Sequence, residues 1–289
     1  MPGEEVIRVG ILKLGCIGAA GLIEYIIDER AERKDIEVRS FTSGAKMDEA
    51  SAEDAVKYLV DYKPAFAIAV SPNAALPGPT KAREALQNAS IPTLTISDAP
   101  SAKAFYQKNE EGKKVATAPE GQGFLVLTAD SMIGAKKEFL DPTEMVLFNS
   151  DMLKVLAVTG YMRLVTEVIE DAIDAAKEGK APEFPMKTID AKKAVNAAGF
   201  TNPYAYAKAY AAALIAEKVA DVTTEGCFKT KEMEKYIPLV ATGHELLRAA
   251  ALLADDAREM EKSGDSVLRT PHGSSGKISS KKALLDKPK

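Results

Sequence analysis

The reading turns on VIRVGILKLGCIGAAG, residues 6–21. A short apolar run, Val9-Gly10-Ile11-Leu12, passes into Lys13-Leu14 and then into a turn marked by Gly15, Gly18 and Gly21. An amphipathic helix is expected to follow directly, over residues 22–33. A buried parallel strand that delivers its C-terminal end to a helix N-terminus is the usual floor of a cofactor site in open α/β sheets. The same design recurs three times, in Thr42-Ser43-Gly44-Ala45, Ser71-Pro72-Asn73 and Ser97-Asp98-Ala99-Pro100, each behind an apolar run. Four such strand ends on one sheet edge would form a single crevice.

Outward from that stretch, residues 6–127 alternate strand and helix patterns. Strands are expected at 36–41, 65–70, 93–96 and 123–127. Helices are expected at 48–61 with Asp48 as cap, at 80–87, and in part of 103–111, with a polar loop at 112–121. Alternation at these lengths implies βαβ units and a parallel sheet. From Pro142 the pattern changes. Tyr161, Leu164, Val165, Val168, Ile169, Ala172, Ile173 and Ala176 fall on one helical face. Residues 203–220 are packed with alanine, which suits the inside of a bundle or a subunit contact, and a third long helix is expected over 239–261. The fold class is therefore α/β: a parallel sheet flanked by helices, non-classical Rossmann-like, with an added helical bundle and a short C-terminal segment. The expected division is 1–140 for cofactor binding, 141–265 for the bundle and 266–289 for a basic tail. That tail holds Arg269, Lys277, Lys281, Lys282, Lys287 and Lys289 against Asp286 alone. It either lies solvated or docks on a neighbouring subunit through Val267, Leu268, Ile278, Leu284 and Leu285.

Composition narrows the function. The 289 residues are 46% hydrophobic and 28% charged, with a net charge of −4. Nucleic acid is a poor partner for an acidic chain. The N-terminus has no signal pattern and no apolar run approaches the ~20 residues that span a bilayer, so a cytoplasmic protein without a membrane partner is expected. Two cysteines, Cys16 and Cys227, and two histidines, His244 and His272, leave little from which to build a metal site. Cys16 is either a reactive thiol or, more simply, a small side chain between backbone and ligand. NAD(P) is disfavoured twice. Gly15 and Gly18 are three residues apart where the dinucleotide fingerprint needs two, and strand two ends in Ser40-Phe41-Thr42-Ser43 with no acid for a ribose. No P-loop is present. A crevice of glycine, proline, serine and backbone N–H groups suits a flat neutral ring with an anionic arm.

Further motifs carry a resemblance. They are SPNAALPGPTKARE at 71–84, SDAP at 97–100, MIGAKKEFLDPTEM at 132–145, FNSD at 148–151 and VLRTPHG at 267–273. Together they resemble the F420-dependent methylenetetrahydromethanopterin dehydrogenases of methanogenic and sulfate-reducing archaea, over essentially the whole chain. The first turn departs from the family's Lys-Cys-Gly-Asn-hydrophobic-Gly, reading Lys13-Leu14-Gly15-Cys16-Ile17-Gly18, and Ser101-Ala102-Lys103 replaces small residues.

The resemblance implies reversible, stereospecific hydride transfer between 5,10-methylenetetrahydromethanopterin and coenzyme F420, a dissociable co-substrate, giving the methenyl product and reduced F420. It implies no metal and no obligatory acid or base, and a homohexamer built as a trimer of dimers. The ring is expected against Leu14, Gly15, Cys16, Ile17, Gly18, Thr42, Ser43, Ser71, Pro72, Asn73, Ser97, Ala99 and Pro100, with Lys81 and Arg83 meeting the arm. Asp98 is the first candidate to stabilise the developing cation, followed by Asp141 and Glu144. As structural residues instead, Asp98 would form the turn and Asp141 would cap the helix that starts at Pro142. The rival reading is a non-catalytic α/β ligand-binding or sensor protein.

Overall fold

The computed structural model describes residues 6–27, 33–131, 139, 141–273 and 276–289. The chain runs β1 (Ile7–Lys13), α1 (Gly18–Ile27), β2 (Ile36–Thr42), α2 (Glu49–Tyr62), β3 (Phe66–Ser71), α3 (Pro77–Asn88), β4 (Thr93–Asp98), α4 (Ala102–Phe105), β5 (Tyr106–Lys108), β6 (Lys114–Ala116) and β7 (Gln122–Leu127). It continues with α5 (Pro142–Val158), α6 (Tyr161–Lys177), β8 (Met186–Ile189), α7 (Ala191–Ala198), α8 (Pro203–Thr224) and α9 (Met233–Ser263). Two compact units result. The first holds residues 1–127, 165–188 and 272–278, and the second holds 128–164, 189–271 and 279–289.

The first unit is built on the parallel sheet, in the order β2-β1-β3-β4-β7-β8. The apolar runs explain its centre: every residue of β3 and β4 is buried, while edge strand β2 is mostly half-exposed or exposed. Because β1 lies between β2 and β3, the chain leaves it in opposite directions on its two sides. That switch opens a crevice outside the carboxyl ends of the strands. Helix starts follow their local chemistry. Asp48 accepts from Ser51 N at 3.0 Å to cap α2, and Pro77 takes the first position of α3, where a missing N–H costs nothing.

Several elements differ from the sequence expectation. α1 begins at Gly18 rather than Leu22, and residues 28–32, expected to complete it, lie outside the described residues. The helix expected within 103–111 is a single turn, α4, after which β5 pairs antiparallel with β6. Besides that hairpin, two further short elements were not anticipated, β8 and α7. The four residues of β8 are too few to show a period, and this strand sits on the sheet edge. The long C-terminal helix starts at Met233 and runs through Pro238, well before the expected Leu239.

The second unit is helical. The alanines of α8 (Ala205, Ala209, Ala212, Ala213, Ala216) are buried and pack against α9, whose Val240, Leu247, Ala250, Ala254 and Ala257 are buried in turn. Small side chains let the two helices pack closely along their length, so the alanine pattern describes the inside of the bundle. α9 also corrects the reading of apolar runs. Over 18 residues its mean hydropathy reaches 1.3, enough by length and composition to cross a membrane, but its apolar face is used against α8 and α5. A buried polar knot sits beside them. Thr128 Oγ1 donates to Glu217 Oε1 at 2.5 Å and lies 3.2 Å from the hydroxyl of fully buried Tyr161.

Candidate functional site

In the first unit, backbone hydrogen bonds bind the turns after β1, β2 and β3 into one surface. Leu14 N donates to Val70 O at 2.9 Å, Gly15 N to Gly44 O at 3.0 Å, and Ser43 N to Lys13 O at 3.1 Å. Gly15 holds φ +80°, a conformation that costs other residues about 1–2 kcal/mol. A Cβ there would stand 2.9 Å from Met47 Sδ and 3.1 Å from Pro72 Cδ, so three turns close on that one hydrogen. At Gly78, on α3, a Cβ would meet Met47 O at 2.4 Å, which seats α3 directly on the chain entering α2.

The fourth turn joins through hydroxyls. Ser97 Oγ donates to Ser71 O and contacts Ser101 Oγ, which accepts from Ala74 N at 2.8 Å. Ser97, Ser101 and Ser71 are all buried, so this chain ties the ends of β3 and β4 together away from water. Asp98 is fully buried at the end of β4, and its Oδ1 accepts from Ala99 N at 2.6 Å. Along the carboxyl edge of the sheet the fold brings together the turns that hold Leu14, Gly15, Cys16, Ile17, Gly18, Thr42, Ser43, Ser71, Pro72, Asn73, Ser97, Asp98, Ala99 and Pro100. Cys16 is exposed and free there, whereas Ile17 and Gly18 are buried. Thr42 Oγ1 accepts from Gly44 N and Asn73 Oδ1 from Ala75 N, so both side chains shape their own turns.

The two cations of α3 diverge. Lys81 is exposed and pairs with Glu84 at 3.3 Å. The Arg83 guanidinium turns inward, donating to Ala74 O at 2.7 Å and Pro79 O at 3.1 Å, and it lies 5.4 Å from the centroid of the Phe105 ring.

Asp141 and Glu144 belong to the second unit. Asp141 Oδ1 accepts from Thr143 N at 2.7 Å and caps α5. Glu144 Oε2 stands 3.9 Å from His244 Nδ1 on α9. His244 is buried between Phe148 and Phe139, and among the described residues its Nε2 has no hydrogen-bond partner. Burial pushes the His244 imidazole below its ordinary pKa, partly offset by Glu144 and Glu245. Residues 132–138 and 140 of the MIGAKKEFLDPTEM motif lie outside the described residues.

Sequence reasoning missed three features. Met47 and Ser101 brace the crevice; Ser101 carried a faint signal, a second serine four residues after Ser97. The third is a buried ion cluster within the first unit that includes His272 of the VLRTPHG motif. Arg33 donates to Glu170 Oε1 at 2.9 Å and to Asp35 at 3.0 Å, and His272 Nε2 meets the same Glu170 oxygen at 2.7 Å. Lys177 reaches Asp35 at 2.7 Å. Burial alone would raise the Glu170 pKa, but the hydrogen bonds from His272 and Arg33 outweigh it and hold the carboxyl below its usual range. Among the described residues, no group of three or more His, Cys, Asp or Glu side chains is arranged to hold a metal ion.

The family model described as methylene-5,6,7,8-tetrahydromethanopterin dehydrogenase matches residues 7–289. The chain belongs to that family. Among its members, the F420-dependent methylenetetrahydromethanopterin dehydrogenase of Archaeoglobus fulgidus is 56% identical over 98% of this chain and 99% of its own length. The enzyme of the same name from Methanocaldococcus jannaschii is 52% identical over the same shares. A solved F420-dependent methylene-tetrahydromethanopterin dehydrogenase, in complex with methylene-tetrahydromethanopterin and coenzyme F420, superposes with a TM-score of 0.90. It is 42% identical, across 99% of this chain and all of that one. Family membership thus rests on the full length of the dehydrogenases and not on a shared sheet alone.

Proposed function

We propose that this chain is an F420-dependent oxidoreductase that moves a hydride reversibly between the methylene carbon of 5,10-methylenetetrahydromethanopterin and oxidised F420. The observation that carries this reading is the full-length match to a dehydrogenase solved with both ligands. The crevice suits the flat ring of F420. Gly15 lets the turns after β1, β2 and β3 close on one another where a Cβ would press on Met47 and Pro72, which supports a single platform for that ring.

When bound, F420 supplies the hydride-accepting ring, and the nitrogens beside the methylene carbon share the charge that the departing hydride leaves. The protein's own work is then orientation and water exclusion, worth ~7–11 kcal/mol in well-oriented systems. The turns of Leu14 to Gly18, Thr42-Ser43, Ser71 to Asn73, and Ser97 with Ala99-Pro100 hold the ring. Lys81 meets the anionic arm from the exposed side of α3. Arg83 braces the site from behind by holding Ala74 O. Asp98 offers a buried carboxylate whose field favours the cationic product, as electrostatic stabilisers do. Glu144, near His244, is a second candidate for that role; Asp141 serves first as the cap of α5.

The first unit, in which 165–188 and 272–278 join the sheet, is the cofactor-binding part, the second is the bundle, and residues 266–289 are a basic tail divided between them. We assign a cytoplasmic homohexamer, a trimer of dimers. Exposed Tyr204, Leu214, Val146 and Leu147 on the bundle helices support apolar contacts between copies. The tail is tied to its own chain, with Arg163 donating to Leu268 O at 2.9 Å and Asp265 accepting from Leu284 N. The exposed Leu284 and Leu285 side chains are left to dock on a neighbour.

The test is an anaerobic assay with F420 and methylenetetrahydromethanopterin, following deazaflavin absorbance. Bleaching that needs both ligands and is not supported by NAD or NADP is expected. F420 binding without bleaching would instead make the chain a sensor. Sedimentation of the same sample reads the assembly state.

A further inference from the structure

Away from the carboxyl edge of the sheet, the first unit holds a half-open cavity of about 270 Å³ between α3, α4, the 117–119 segment and the start of β7. Its wall includes Thr95, which precedes Asp98 by three residues on β4 and so lies ~10 Å from the strand end. Gln122 and Gly123, at the opposite end of β7 from the crevice, complete that side. The rest of the wall is mixed: Ala104, Phe105, Ala118 and Pro119 supply apolar surface, and Thr80, Glu84, Gln87 and Thr117 are polar.

The one feature this lining does not account for is Arg83. Its guanidinium faces the cavity and bonds only neutral groups: Ala74 O, Pro79 O and, at 3.5 Å, Thr80 Oγ1. No carboxylate among the described residues stands within ion-pair distance of it; Glu84, on the rim, pairs with Lys81 and supports the Arg83 charge only through space. Burial lowers the Arg83 pKa to about 10, so the cation persists at neutral pH at a desolvation cost. Buried cations are ordinarily paired. The orientation is also set in advance. Phe105 stacks on Phe124 with ring centroids 4.4 Å apart, and the Arg83 guanidinium carbon lies 5.4 Å from the Phe105 centroid. An arginine held this way loses little entropy when it takes up a planar anion.

We propose that this cavity is a second ligand site, separate from the cofactor crevice, that takes a small carboxylate with an apolar body, the carboxylate against Arg83 and the body against Phe105 and Ala118. Because Arg83 also holds Ala74 O, an occupant would stiffen the turn that carries Ser71 to Asn73.

Benzoate is the probe, titrated calorimetrically into the full-length protein, with benzamide as its neutral counterpart. One benzoate per chain is expected, benzamide binding at least about tenfold more weakly, which is ~1.4 kcal/mol. Saturating F420 should leave benzoate binding in place. Arg83→Gln should abolish it. Since that variant also loosens the Ala74 turn, Ala118→Phe provides the independent check, filling the cavity while leaving Arg83 intact, and should abolish binding too. The proposal is overturned by no benzoate binding, by equal binding of benzamide, by unchanged binding in Ala118→Phe, or by displacement with F420, which would place the anion in the crevice.

Discussion

Replacing Gly15 by alanine tests whether the turns after β1, β2 and β3 act as one platform. The left-handed backbone at φ +80° contributes ~1–2 kcal/mol of strain for any L side chain. The new methyl would also lie 2.9 Å from Met47 Sδ and 3.1 Å from Pro72 Cδ. The thioether can swing aside; the proline ring, fixed in φ, cannot. The displacement must therefore pass into the Ser71–Asn73 turn, because Leu14 N to Val70 O and Gly15 N to Gly44 O hold the neighbouring strands in register. A total loss of about 2–3 kcal/mol in unfolding free energy is expected, read by urea denaturation. The Michaelis constant for F420 should rise on the order of tenfold with kcat less affected, the pattern of lost ground-state binding. Adding Met47→Ala should recover part of the affinity, since it removes the sulfur contact but not the backbone strain. Wild-type F420 affinity in a variant that has lost the expected stability would refute the reasoning, because the turn would then lie outside the ring site.

Glu170→Gln should cost ~1.5–3 kcal/mol of stability by removing one of the two carboxylates around buried Arg33, Asp35 being retained, and it should loosen the hold on His272, read by limited proteolysis. With Glu170 held below its ordinary pKa, its contribution is complete above about pH 4.5 and disappears as pH falls through the folded value; a denaturation series in acid checks this. His244 acts in the same direction at higher pH: its folded pKa lies below the unfolded one, so the folded state binds fewer protons, and stability should fall as pH drops below ~6.5. His244→Phe should flatten that slope, and an unchanged slope would assign it to other groups. Asp141→Ala should cost about 1 kcal/mol as a lost cap on α5 and leave hydride transfer intact; an inactive but folded variant would make Asp141 catalytic.

Much of the first unit was legible because its central strands are buried on both faces. Phe66–Ser71 and Thr93–Asp98 read as continuous apolar or small runs, and the punctuation after them, Ser71-Pro72-Asn73 and Ser97-Asp98-Ala99-Pro100, marked the crevice. Helix starts were local chemistry too: Asp48 and Asp141 each accept an amide two or three residues on, as a cap must. Elements whose stability comes from neighbours were not legible. Tyr106–Lys108 and Lys114–Ala116 are mostly exposed and polar, so nothing in their own residues specifies a hairpin, and Met186–Ile189 becomes a strand only because β7 offers it an edge. The sequence by itself determined the fold class, the four crevice turns and, through long specific motifs, the family. The tertiary structure alone decided that Arg33, Glu170 and His272, up to 239 residues apart, share one buried cluster. It likewise decided that Lys81 stays on the surface while Arg83, two residues on, turns inward onto Ala74 O. Periodicity places a side chain on a face of its own element; which partner it meets there depends on how distant segments pack, and that information is not local.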